Sequence, residues 1–137
     1  MERIKFDQYE KGATIPELEH GPIAHMDLVR YAGASGDFNP IHTDPAFAEK
    51  VGLGGTIAHG MYIMALLGRL ATNWVHPAQI KSYGVKFKGM TRPGQNVKMS
   101  GSVKRVRPEE KELVVAIQAA LDDGSVAVAG ELVIAAD

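Results

Sequence analysis

The sequence predicts an α+β fold in which an antiparallel sheet wraps around one long central helix, and three observations point to it. Residues 61–75 form an apolar run in which Arg69 is the only charge, and a helix that is apolar nearly all round belongs in an interior. After Pro77 the patterning changes to strict alternation of apolar and polar residues, the period of half-buried strands. Short turn sequences separate the alternating segments, and turns of that kind join antiparallel neighbours.

Taken in order, residues 1–10 mix charges and aromatics and are expected to hold one short strand, with Ala13–Glu17 as another. Gly21-Pro22 breaks the chain, and Ala24–Ala34 reads as a short amphipathic helix whose end lies in Tyr31–Gly36. A helix of one or two turns follows over Asp44–Lys50, with Asp44 suited to the cap and Pro45 to the first turn. Gly52-Leu53-Gly54-Gly55 is a flexible approach to the central helix, which begins near Gly60 and ends at His76-Pro77. Its 15 residues, interrupted by Gly68 and Arg69, fall short of the roughly 20 needed to cross a bilayer. Tyr83, Val85 and Phe87 then alternate with Gly84, Lys86 and Lys88, and Thr91–Gln95 is a turn. Val97, Met99, Gly101 and Val103 mark the next strand, and Val115, Ile117, Ala119 and Leu121 the one after it. Asp122-Asp123-Gly124 is a hairpin signal, leading into a last strand over about Ser125–Ile134.

Composition bounds the function classes. At 137 residues one domain, 1–137, buries about 68% of its extended surface and needs no covalent staples. The 15 basic and 16 acidic residues nearly cancel, so no global field argues for nucleic acid or a membrane surface. There is no cysteine, hence no disulfide framework. No apolar stretch follows Met1-Glu2-Arg3, so no signal peptide is expected, and a cytoplasmic location is the expectation.

The chemistry concentrates in Ser35–Pro45, SGDFNPIHTDP. Pro40 cannot lie inside a helix, and Asn39 before it is pushed toward extended geometry. On a continuous helix Asp37 and His42 would point about 140° apart; across a turn they can converge. A carboxylate and an imidazole around one water form a general acid–base device, although Asp-x-Asn-Pro is also ordinary turn chemistry. No metal site is expected, because no cysteine and no second histidine at a ligand spacing accompany them. At the start of the central helix, the Gly60 amide can approach a ligand oxygen and stabilise developing negative charge; equally, the missing Cβ can serve tight packing.

Tyr31–His42, followed by Ala58-His59-Gly60-Met61, resembles the hydratase-2 motif of MaoC-like dehydratases, the (R)-specific enoyl-thioester hydratases. The likeness runs from about Phe6 to the C-terminus and implies a single hot-dog domain, which agrees with the local reading. It implies reversible hydration of trans-2-enoyl thioesters of CoA or acyl carrier protein, with Asp37 and His42 as catalytic pair, Gly60 as oxyanion donor, and no cofactor. Asn39 is expected to orient the turn, and His59 to be either a structural histidine or a substrate contact. Met61, with Met64 and Ala65, would line the acyl pocket; Lys86, Lys88 and Arg92 are candidates for the phosphates of the carrier, against ordinary surface charge. Gly68 departs from branches that carry a serine nearby, which leaves chain-length preference open. Exposed sheet edges and the resemblance both imply a homodimer. Two rival functions remain: a hot-dog acyl thioesterase, and a non-catalytic subunit of a hetero-oligomeric dehydratase.

Overall fold

The structure, a computed structural model, describes residues 2–137. Five strands form one antiparallel sheet: β1 (Leu18–His20), β2 (Ile80–Phe87), β3 (Val97–Arg107), β4 (Glu112–Leu121) and β5 (Val126–Ala135). Their order is β1-β3-β4-β5-β2. Helices α1 (His25–Ser35) and α2 (Pro45–Lys50) precede the long helix α3 (Gly60–Trp74), which packs on the sheet in the hot-dog arrangement.

The alternation read from the sequence is the alternation of the sheet. Val97, Met99 and Val103 of β3 and Val115, Ile117, Ala119 and Leu121 of β4 are all buried, because side chains two apart share a face. In α3 the buried residues are Ile63, Leu66, Leu67, Leu70, Ala71 and Trp74, an i, i+3, i+4 stripe against the sheet. The expectation of burial nearly all round is corrected here. Met61, Ala65, Arg69 and Thr72 form an exposed stripe on the opposite face, because in a single chain the sheet covers only one side of the helix.

The N-terminal expectations also change. Among the described residues of 1–10 there is a single 3-10 turn, Phe6–Gln8, and no strand. Their backbone groups are engaged singly: Ile4 N–H donates to Gln79 Oε1 and Gln79 Nε2 to Ile4 O, both at 2.9 Å, and Phe6 N–H donates to Asp137 O. Ala13–Glu17 contributes one bridge, Thr14 to Ser102. Pro16 has no N–H to offer a ladder, and the strand forms instead at Leu18–His20, against Val97–Met99.

The expected turn at 91–95 has a larger task than joining neighbours. β2 lies at one sheet edge, paired with β5, whereas β3 lies between β1 and β4. Residues 88–96 therefore cross one end of the sheet. Lys88 and Gly89 N–H bond to Ala127 O, Gly94 N–H to Ile23 O, and Thr91 O accepts from Ala58 N–H at 2.7 Å. The last of these ties the crossing to the chain just before α3.

At the other end of the sheet Glu112, only 4% exposed, is held by Lys81 from β2 and by Arg107 Nη1 at 3.0 Å. Those two bonds depress its carboxyl pKa below the ordinary glutamate value. A carboxyl whose folded pKa is depressed adds stability above its unfolded pKa, and that contribution is lost as pH falls through the folded value. In acid titrations of stability, wild type is expected to lose this contribution below about pH 4.5, while Glu112→Gln starts lower at neutral pH and changes less over that range. Leu67→Ala, at a fully buried position, is expected to lose about 2–5 kcal/mol in urea denaturation.

Candidate active site

The turn after α1 is built by short polar side chains. Gly36 adopts φ 77°, and its N–H donates to Ala32 O, ending the helix with the left-handed residue that glycine tolerates best. Ser35 Oγ then accepts from Asp37 N–H at 3.1 Å, Asp37 Oδ1 from Asn39 N–H at 3.2 Å, and Asn39 Oδ1 from Ile41 N–H at 3.2 Å. Three oxygens in alternate positions each satisfy the amide two residues ahead, the local bonding that Ser, Asp and Asn favour. Asn39 thus orders the turn with its side chain and Asp37 with its backbone N–H. His42 N–H donates to Asn39 O, and Asp44 caps α2 by accepting from Ala46 and Phe47 N–H.

Asp37 and His42 do converge. His42 Nε2 lies 3.7 Å from Asp37 Oδ2, with the aspartate side chain about half exposed and the histidine 7% exposed. His42 Nδ1 donates to Ile57 O at 2.8 Å. A carbonyl only accepts, so the neutral ring carries its proton on Nδ1 and presents a bare Nε2 to the aspartate. Two acceptors therefore face one small volume.

His59 completes the cluster, in a way the sequence did not disclose. It is 2% exposed, and its Nε2–H donates to Asp37 O at 3.1 Å. Its ring stacks on that of His42, centroids 3.7 Å apart and planes 24° from parallel. The Tyr31 ring meets His59 edge-on at 4.8 Å. Burial lowers the His59 pKa, opposed in part by its bond to the Asp37 carbonyl. The available signal was the histidine directly before the central helix; nothing in its spacing foretold a partner 17 residues earlier. Asp37, His42 and His59 offer ligand-type atoms within 4.8 Å of one another. The two rings nevertheless lie face to face, so their in-plane lone pairs run side by side instead of meeting on one tetrahedral ion.

Gly60 is the first residue of α3, where backbone N–H groups have no partner within the helix. A Cβ built there would come within 2.9 Å of Cδ1 of the exposed Phe87 ring, so the glycine gives that ring room while the N–H stays at the positive helix end. Met61, next along, is 57% exposed. Of the residues expected to line an acyl pocket, Ala65 borders a groove of about 360 Å³ with Gly68, Thr72, Ile80, Tyr83 and Leu132; Met61 and Met64 lie outside it. Burial raises the Tyr83 pKa to about 12, and its hydroxyl donates to Met64 O. The three candidate phosphate contacts are divided. Lys86 and Lys88 line a hollow on the sheet with Lys104 and Glu131, while Arg92 Nη1 turns to Gly55 O at 3.4 Å. The remaining histidines hold local structure: His76 Nδ1 accepts from Ala78 N–H, His20 Nε2 meets Tyr62 OH and His25 Nδ1 meets Thr56 Oγ1.

Comparison with known proteins places the chain. The R-hydratase PhaJ1 of Pseudomonas aeruginosa superposes with a TM-score of 0.85 at 30% identity, over 98% of this chain and 86% of that one. The 3-hydroxybutyryl-CoA dehydratase of Methylorubrum extorquens is 30% identical over 122 residues, 88% of this chain and 76% of the relative. Saccharomyces cerevisiae fatty acid synthase subunit beta is 32% identical over 119 residues. Such beta subunits are far longer, and the chain spans 3% to 6% of their length. The model of the MaoC like domain matches residues 9–124. With its hot-dog sheet and the Asp37–His42 turn set before α3, the chain belongs to the MaoC-like dehydratase family.

Proposed function

We propose that this protein catalyses the reversible addition of water to trans-2-enoyl thioesters, giving (R)-3-hydroxyacyl thioesters. The observation that carries the reading is the Asp37 carboxylate facing His42 Nε2 at 3.7 Å; with the ring neutral and its proton on Nδ1, both are acceptors. What fits between two acceptors is a molecule with two protons to give. A water there donates one O–H to each and keeps a lone pair for the substrate. Its oxygen bonds to the β-carbon as the pair takes one proton; the α-carbon receives a proton from the same pair. Negative charge gathering meanwhile on the thioester oxygen is met by the Gly60 N–H at the helix start. The similarity to an R-hydratase and a 3-hydroxybutyryl-CoA dehydratase supports the substrate class and the stereochemistry.

Purified protein is expected to consume the enoyl absorbance of crotonyl-CoA or a medium-chain enoyl-CoA, with an (R)-3-hydroxyacyl product and no free thiol. Thiol release in place of hydration would establish a thioesterase. Asp37→Asn and His42→Ala are expected to lower turnover by about 10²–10⁴-fold with unchanged circular dichroism; near wild-type turnover in either would refute the assignment.

A homodimer belongs to the same reading. β2 leaves one edge of the sheet unpaired over 8 residues, which is an open template for a second copy. Beside it lies the exposed face of α3, with the groove of Ala65, Gly68, Tyr83 and Leu132. Light scattering after size exclusion is expected to give twice 14.7 kDa; a monomer mass would overturn this.

A further inference from the structure

We infer that His59 is a positioning residue: it fixes the Asp37 backbone through its Nε2–H and carries the His42 ring face to face, holding base and acid at their working separation. The inference rests on the hydratase reading for its kinetic consequence and on geometry for its substance.

Asp37 sits at the tip of an exposed turn, and the bonds within that turn are local. They shape the loop but tie it to nothing distant. The His59 Nε2–H to Asp37 O bond, across 22 residues, anchors the tip to the start of α3. The His42 ring is fixed at its far nitrogen by Ile57 O, a single bond about which an imidazole can still tilt. The stack at 3.7 Å removes that freedom, and the Tyr31 ring braces His59 edge-on at 4.8 Å. One residue thus sets both partners.

The role requires His59 to remain uncharged while His42 exchanges protons. A second proton on His59 would sit on Nδ1, which is buried and has no hydrogen-bond partner among the described residues; a buried N–H without an acceptor is costly. It would also set two cations face to face. Burial displaces the His59 pKa downward, in the same sense. The titratable groups facing the stack are Asp37 from the turn and Tyr31 from α1. Tyr62 of α3 stands behind Tyr31, and Arg92 of the β2–β3 crossing is turned toward Gly55 O.

The test uses three variants and one spectrum. His59→Phe keeps a ring and loses the donor, His59→Gln keeps a donor and loses the ring, and His59→Ala loses both. In the folded protein we expect His59→Ala to lower kcat on the order of 10²-fold, the scale on which misplacement of catalytic groups acts. KM should stay within about twofold, since nothing that binds substrate changes, and each conservative variant should recover part of kcat. A loss confined to KM would make His59 a substrate contact, and wild-type kcat in all three would make it mere packing; either overturns the inference. The spectrum is a long-range ¹⁵N correlation of the wild-type histidine rings at pH 6.5, where a free imidazole is about half protonated. It should report His59 as neutral with its proton on Nε2. A charged His59, or a proton on Nδ1, overturns the inference even if the wild type proves unable to hydrate enoyl thioesters, in which case the functional reading fails separately.

Discussion

Residues 56–59 run between two other segments, and the bonds they make on each side hold His42 and the start of α3 in place. On one side Ile57 N–H donates to Ile41 O, and Ile57 O accepts from His42 Nδ1. On the other, Ala58 N–H donates to Thr91 O on the crossing between β2 and β3. The segment then leads directly into α3, whose apolar face is anchored on the sheet. Any shift of α3 therefore moves His59 and the Ile57 carbonyl together, and with them the tautomer and tilt of His42.

Burial divides Asp37 and His42 unequally. His42 is almost wholly enclosed, while about half of the Asp37 side chain is exposed. The ring is thus held by neighbours on most sides, whereas the carboxylate keeps access to solvent and to an incoming molecule. On the proposed reading, this asymmetry lets a water and an enoyl thioester enter while one partner keeps a fixed orientation. The apolar side chains exposed nearby, Phe38, Met61 and Phe87, give the approach an oily character.

Structural economy is visible in the turn itself. Ser35, Asp37 and Asn39 each satisfy a backbone amide that a loop would otherwise leave to water, so the chain reaches Pro40 without secondary structure and without loss of order. Asp37 serves twice, with Oδ1 holding the turn and Oδ2 facing His42. Its geometry is consequently set by the same bonds that shape the loop.

Much of this was legible in the sequence, because it depends on local rules. Period-two alternation gave β2 to β5, the apolar run gave α3, Asp44-Pro45 gave the start of α2, and Gly36 with Pro40 gave a turn able to bring Asp37 toward His42. At the N-terminus Pro16 broke the expected strand for a local reason, while the pairing of Ile4 with Gln79, 75 residues away, is tertiary. Other features belong to the tertiary structure alone. The crossing of 88–96 over the sheet end, the stack of His59 on His42 and the open face of α3 each join residues far apart in the chain. Periodicity reports which side of an element is apolar; it carries no information about which distant backbone carbonyl will meet an imidazole, since that is decided only when helix and sheet have packed.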